Sequence, residues 1–135
     1  MLRTWILVAD GAYARVFLSE GSDQPLKLVH DLEHPESRAK GQDLFTDKPR
    51  LEPYTLPKDR EAGIFARQIA GMLDLACSRH EYDQLIIVAP PPFLGPLRGN
   101  LTKQVQARVV DEVAKDLVNL KPHELEERLV IPQVL

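Results

Sequence analysis

The feature that most constrains this 135-residue chain is a short apolar run, Leu85 to Ala89, ended by a row of prolines. A run this short, rich in β-branched residues and stopped by Pro90, is typical of a fully buried strand rather than a helix. In open α/β sheets, ligands bind just beyond the carboxyl ends of such strands, so residues 90–98 are the first place to seek a site. Those residues contain no nucleophile, general base or metal ligand, and Arg98 carries their only charge.

Three strand patterns precede this run and are expected to form an antiparallel meander. Residues 5–9 and 14–18 are apolar and rich in β-forming side chains. Asp10-Gly11 between them is a strong hairpin signal, because both residues tolerate a positive φ. Residues 26–31 alternate in character after a turn that ends at Pro25, which predicts a third strand.

A long helix is predicted over residues 58–80, because Phe65, Ile69 and Leu73 recur at the spacing of one apolar helix face. Residues 105–117 fit either a helix, from valines four apart, or a strand, since valine favours pleated surfaces. Pro122 in a first-turn position predicts a short final helix. With 44% hydrophobic residues, the chain is expected to form one domain over residues 1–135.

Charge and composition exclude several functional classes. The formal net charge of -3 argues against a generally basic nucleic-acid binder, yet residues 37–60 hold six basic and four acidic side chains, a net charge of +2. They overlap a proline-rich loop over residues 33–57, and loops of this length are often functional. The lone Cys77 excludes an internal disulfide and a multi-cysteine zinc site. No stretch approaches the ~20 apolar residues that span a bilayer, so we expect a cytoplasmic protein with no membrane partner. We also expect no cofactor.

Two patterns suggest metal chemistry, and neither is complete. H-x-x-E-H at residues 30–34 matches an inverted zinc-peptidase motif, but residues four apart in a strand lie ~13 Å from one another, too far for two zinc ligands. Asp10 with Glu61 or Asp74 would resemble a ribonuclease-H-like two-metal site, but the buried strand ends without an acid. Turn positions are favoured for Asp10 and His34. A metal-dependent hydrolase or nuclease, built on Asp10 or on His30 and His34, is therefore the weakest alternative.

Five segments together resemble the bacterial family described as host attachment protein, or protein required for attachment to host cells. They are W-I-L-V-A-D-G-A-Y-A-R-V-F at 5–17, H-P-E-S-R at 34–38, F-A-R-Q-I-A at 65–70, L-I-I-V-A-P-P-P-F-L-G-P-L-R at 85–98 and V-A-K-D-L at 113–117. The resemblance covers nearly the whole chain. This family is in turn distantly similar to the middle domain of archaeo-eukaryotic peptide-chain release factors.

The resemblance implies an α/β fold with a mixed five-stranded sheet, of release-factor middle-domain or ribonuclease-H-like topology. The expected order is a three-strand antiparallel meander, a long helix, a buried strand, a connecting helix and a final strand. It favours a strand at residues 107–113 and a largely helical segment at residues 91–103. In release factors, the loop before the long helix carries a Gly-Gly-Gln tip that promotes peptidyl-tRNA hydrolysis. The corresponding loop here contains Ala39-Lys40-Gly41-Gln42, with one glycine before the glutamine.

The same resemblance supplies the candidate site. It makes Gln42 the candidate catalytic residue, and glycine before it would let the backbone approach an RNA end closely. Basic neighbours would hold phosphates electrostatically. The candidate RNA or anion contacts are Arg38, Lys40, Gly41, Lys48, Arg50 and Arg98.

The whole-chain resemblance, together with the absence of a complete catalytic constellation, favours a cytoplasmic, non-enzymatic interaction module linked to translation. Its expected partners are the ribosome, tRNA or another protein. The alternative is a ribosome-associated peptidyl-tRNA hydrolase or rescue factor that uses Gly41 and Gln42.

Overall fold

A computed structural model describes residues 2–21, 24–34 and 57–129. Its sheet has five strands in the spatial order β3-β2-β1-β4-β5. The first three pair antiparallel, whereas β1 with β4 and β4 with β5 pair parallel. The strands are β1 (Thr4–Ala9), β2 (Tyr13–Ser19), β3 (Lys27–Glu33), β4 (Gln84–Val88) and β5 (Val109–Val113). The predicted mixed five-stranded sheet with an N-terminal meander is confirmed.

Four helices complete the described part of the chain. They are α1 (Pro57–Ser78), α2 (Pro91–Asn100), α3 (Lys103–Gln106) and α4 (Pro122–Arg128). The prolines after β4 begin α2, because a first-turn residue needs no N–H donor, and the carbonyl of Pro90 accepts the first helical bonds. Of the ambiguous residues 105–117, the first two end α3, residues 109–113 form β5, and the others lie in neither element. The strand that the family resemblance favoured at residues 107–113 is present as β5, and the helix that it favoured at residues 91–103 is present as α2.

One face of the sheet packs against α1, α2 and α3. Side chains on β1 and β4 alternate between the two faces, so Leu7 and Ile87 point toward these helices. The predicted apolar face of α1 is confirmed, since Phe65, Ile69 and Leu73 are fully buried in the same cluster. This helix is therefore held by its apolar face rather than by local helix propensity.

The opposite face of the sheet is covered by α4 and the segment before it. Ile6 and Ile86 are buried there against Leu117 and Leu125. Because β1 and β4 are buried on both faces, they appear in the sequence as continuous apolar runs without alternation. β3, at one edge of the sheet, is the most exposed strand. None of the described helices is long and apolar enough to cross a membrane.

Candidate functional site

The turn between β1 and β2 is closed by a side chain. Oδ1 of Asp10 accepts hydrogen bonds from the backbone N–H groups of Ala12 and Tyr13, each at 2.8 Å. The backbone N–H of Asp10 donates to the carbonyl of Tyr13, also at 2.8 Å. The hairpin prediction is confirmed, but its reason was wrong, because neither Asp10 nor Gly11 adopts a positive φ. The chain forms an Asx turn, in which the Asp10 carboxylate accepts the backbone bonds, and not the two-residue turn that the Asp-Gly pair suggested.

A largely buried hydrogen-bonded pair lies beside this turn. Nε2 of His34 is 2.9 Å from Oε1 of Glu61, and the two side chains are 8% and 12% exposed. The backbone N–H of His34 donates to the carbonyl of Ala12 at 2.8 Å, which fixes the end of β3 against the turn. The imidazole ring stacks on Phe65 with a centroid distance of 5.4 Å and an interplanar angle of 18°. The pair therefore joins the end of β3 to the first turns of α1.

These residues lie together at the carboxyl end of β1, next to the start of α2. A Cβ added to Gly11 would lie 3.5 Å from the Cβ of Ala62, so the turn packs directly on α1. Phe65 in turn contacts Phe93 of α2, with ring centroids 6.1 Å apart. We call this region the carboxyl edge; it comprises Asp10, Gly11, His34, Glu61 and Phe93. It corresponds to the place where open α/β sheets bind ligands.

Most of the predicted site residues lie in sequence between His34, at the carboxyl edge, and Pro57, about one helical turn before Glu61. Residues 35–56, between His34 and Pro57, lie outside the described residues. The predicted residues that lie outside the described residues are Arg38, Lys40, Gly41, Gln42, Lys48 and Arg50. Their proposed roles stay predictions.

Arg98 is the predicted contact residue that the structure does describe. It lies in α2 and pairs with Glu112 of β5: Nε is 3.1 and 3.2 Å from the two carboxylate oxygens, and Nη2 also donates to Oε1. The guanidinium of Arg98 is 54% exposed. The pair connects α2 to the edge strand of the sheet, on another element than the His34–Glu61 pair. A contact between Arg98 and an external anion stays a prediction.

The two histidines of the H-x-x-E-H pattern have different surroundings. His30 lies within β3, as predicted, and its ring meets Trp5 edge-on at 5.1 Å. His34 is directed toward Glu61 instead. Within residues 2–21, 24–34 and 57–129, no group of three or more His, Cys, Asp or Glu side chains is arranged to hold a metal ion. Glu61 does lie at the carboxyl edge with Asp10, whereas Asp74 bonds to residues at α3.

A polar cluster joins the second half of α1 to α3. Oδ1 of Asp74 accepts bonds from the Thr102 hydroxyl at 2.6 Å and from the Gln104 amide at 2.7 Å. These bonds, that from Gln104 foremost, hold the pKa of Asp74 below its usual range. The Gln104 amide also donates to the Ser78 hydroxyl at 2.9 Å. The cluster fastens the second half of α1 to α3, so its role is structural.

Asp83 and Tyr82 support the approach to β4. The backbone N–H of Arg3 donates to Oδ2 of Asp83 at 2.7 Å, and this bond holds the pKa of Asp83 below its usual range. Tyr82 donates its hydroxyl to the carbonyl of Leu73 at 2.9 Å, and burial raises its pKa. Both groups fasten the chain before β4, at the opposite end of the parallel strands from the carboxyl edge.

In fold, the protein is similar to part of an archaeal translation termination factor. It superposes on the crystal structure of an archaeal termination factor, aRF1, with a TM-score of 0.53 and 15% sequence identity. The match covers 84% of this chain and 30% of the aRF1 chain, so the protein spans less than a third of that factor's length. A structure titled only as an archaeal protein matches over the same shares at 14% identity, with a TM-score of 0.49. The predicted distant similarity to release factors is confirmed at the level of the fold.

The chain belongs to the family described as "Protein required for attachment to host cells", whose model matches residues 5–129. A relative in Rickettsia prowazekii, the uncharacterized protein RP470, is 38% identical over 124 residues. That alignment covers 84% of this chain and 83% of the relative. The family resemblance drawn from the five sequence segments is therefore confirmed.

Proposed function

We propose that this protein is a cytoplasmic, non-enzymatic interaction module linked to translation. The observation that carries the proposal is the bonding at the carboxyl edge. Asp10 holds a turn through its carboxylate, and His34 and Glu61 bond to each other while largely buried. A general acid or base must reach the proton that it transfers, and His34 and Glu61 are instead bonded to each other within the protein.

The link to translation is supported by the fold shared with aRF1 and by the position of residues 35–56. His34 of the carboxyl edge precedes this segment and Pro57, one turn before Glu61, follows it; the segment includes Arg38, Lys40, Lys48 and Arg50. Basic side chains on a segment next in sequence to a ligand-binding edge favour contact with phosphates of ribosomal RNA or tRNA. The partners that this reasoning favours are therefore the ribosome or tRNA.

Co-sedimentation with ribosomes tests the proposal. We expect binding at 50 mM salt that weakens steeply by 200 mM, because phosphate contacts release counterions. A variant with four basic residues of the segment neutralised should lose this binding, whereas an equally neutralised variant elsewhere should retain it. The first variant carries Arg38→Gln, Lys40→Gln, Lys48→Gln and Arg50→Gln; the control carries Lys27→Gln, Lys103→Gln, Lys115→Gln and Lys121→Gln, all at exposed lysines. Absence of the protein from the ribosome pellet at low salt would show that the translation link is wrong.

A peptidyl-tRNA hydrolysis assay separates this proposal from the second candidate function. That candidate is a ribosome-associated hydrolase or rescue factor acting through Gly41 and Gln42, and the position of residues 35–56 next in sequence to the carboxyl edge favours it. We expect no hydrolysis above the buffer rate, with or without ribosomes. If the protein hydrolysed peptidyl-tRNA, and Gln42→Ala abolished hydrolysis but not ribosome binding, the non-enzymatic proposal would be wrong and the hydrolase would take its place.

A further inference from the structure

The solvent-facing side of α1 carries arginines without acidic partners. Arg60 and Arg67 are exposed on the helix, and Arg79 is exposed directly after its end. Among the described residues, no acid lies within ion-pair distance of any of the three. The described acids of the same helix are engaged elsewhere, Glu61 with His34 and Asp74 with Thr102. On a chain with a net charge of -3, this helix face is a local positive surface.

An exposed leucine lies between these arginines. Leu75 is 53% exposed, although the other large apolar side chains of α1 are buried or half-buried. At 100° per residue, Arg67, Gly71, Leu75 and Arg79 fall within a third of the helix circumference. We call these four residues the arginine face. An exposed apolar side chain among unpaired cations is typical of the composition of protein interfaces, where arginine is enriched.

Gly71 lies one turn before Leu75 on the same side of the helix. A glycine inside a helix costs about 1 kcal/mol relative to alanine. A Cβ added at Gly71 would meet no heavy atom within 4 Å, so packing inside the protein does not require the glycine. The missing side chain leaves a shallow notch in the helix surface beside Leu75, where another backbone or side chain can approach closely.

We propose that the arginine face is a docking surface for an acidic amphipathic segment of a partner protein. An apolar side chain of that segment enters the notch at Gly71 and packs on Leu75, and its carboxylates pair with Arg67 and Arg79. The rise of a helix places Arg67 about 6 Å and Arg79 about 12 Å from Gly71 along the axis. The partner's acids therefore lie about one turn to one side and two turns to the other of its apolar residue.

Protein fits this face better than nucleic acid does. Leu75 and the notch at Gly71 lie between the two arginines, and a phosphate backbone would form no favourable contact with either of them. Bidentate pairing of arginine with carboxylates matches the remaining groups. The inference uses no residue of the 35–56 segment and holds whether or not the protein binds ribosomes.

Selection from a random peptide library displayed on phage, with the full chain as bait, tests the inference. We expect enriched peptides to carry Asp or Glu on both sides of a large apolar residue. Synthetic versions, measured by fluorescence anisotropy, should lose at least about tenfold in affinity to the Arg67→Glu/Arg79→Glu variant. They should bind a Lys27→Glu/Lys115→Glu variant, reversed at two exposed lysines on β3 and after β5, as tightly as the unaltered protein.

Gly71→Ala separates binding from folding. Filling the notch should weaken peptide binding severalfold, yet raise the midpoint of thermal unfolding by about 3 °C because alanine favours the helix. Gly99→Ala in α2, at an equally open position, should leave peptide affinity unchanged.

Four outcomes would overturn the inference. The first two are that no peptide is enriched relative to selection on the Arg67→Glu/Arg79→Glu variant, and that the enriched peptides carry no acidic residues. The third is that these substitutions abolish binding of single-stranded RNA but leave peptide binding unaffected. The fourth is that the protein self-associates in sedimentation and that the same substitutions abolish this self-association.

Discussion

At residue scale, Asp10 illustrates how a residue type that is common in metal sites serves a turn. Oδ1 accepts two backbone bonds, and Oδ2 accepts none from the residues that the structure describes. Asparagine keeps a side-chain oxygen in the same position and forms the same turn without the charge. The turn role therefore depends on the acceptor atom, whereas a metal role would depend on the negative charge.

We predict that Asp10→Ala lowers the free energy of unfolding by about 1–2 kcal/mol, because two partly buried N–H groups lose their acceptor. Asp10→Asn should lose less than half of that amount. Urea unfolding followed by circular dichroism measures both, with Asp116→Ala at an exposed position as the control. An asparagine variant as unstable as the alanine variant would show that the charge, and not the turn, matters at this position.

At the scale of elements, the His34–Glu61 pair joins β3 to α1 at the carboxyl edge. The pair is nearly buried, unlike the Arg98–Glu112 pair, whose arginine is 54% exposed. Truncating one partner of a buried pair leaves the other group desolvated without its bond. An exposed pair loses little, since water replaces the partner.

A double-mutant cycle with His34→Phe and Glu61→Leu tests this difference. Phenylalanine keeps the ring stacked on Phe65, so the histidine substitution removes the polar contact with little change of volume. We expect each single variant to lose about 1–3 kcal/mol and the double variant to lose less than their sum, with a coupling of about 1 kcal/mol or more. The matched cycle at Arg98 and Glu112 should give less than about 1 kcal/mol. Equal couplings in the two cycles would contradict the role of burial.

Local patterns predicted the elements well and their long-range contacts poorly. The apolar run of β4, the spacing of Phe65, Ile69 and Leu73, and Pro122 each encode an element within a few residues, and each prediction is confirmed. The His34–Glu61 pair spans 27 positions, and no local period marks it. His34 was assigned to a polar turn because a proline follows, and its burial depends on α1 folding over it.

At the scale of the whole molecule, the sheet has two cores that share the same strands. Leu73 is buried on the face covered by α1, and Leu125 is buried on the face covered by α4. β1 and β4 contribute alternate side chains to both clusters. Loss of the packing on one face therefore destabilises the strands on which the other face depends. This sharing is the physical reason to expect one domain over the chain, as its composition predicted.

We therefore predict a single unfolding transition that substitutions on either face displace as a whole. Leu73→Ala and Leu125→Ala should each lower the free energy of unfolding by about 2–4 kcal/mol, the usual cost of a buried leucine. Trp5, the only tryptophan, lies in the α1-side cluster, so its fluorescence reports that face while far-UV circular dichroism reports the whole chain. The two probes should give coincident urea curves for both variants, and Val110→Ala at a 44% exposed position should shift neither by more than about 0.5 kcal/mol. If Leu125→Ala left the Trp5 curve in place while it moved the circular dichroism curve, the α4 side would unfold separately and the chain would not be one cooperative unit.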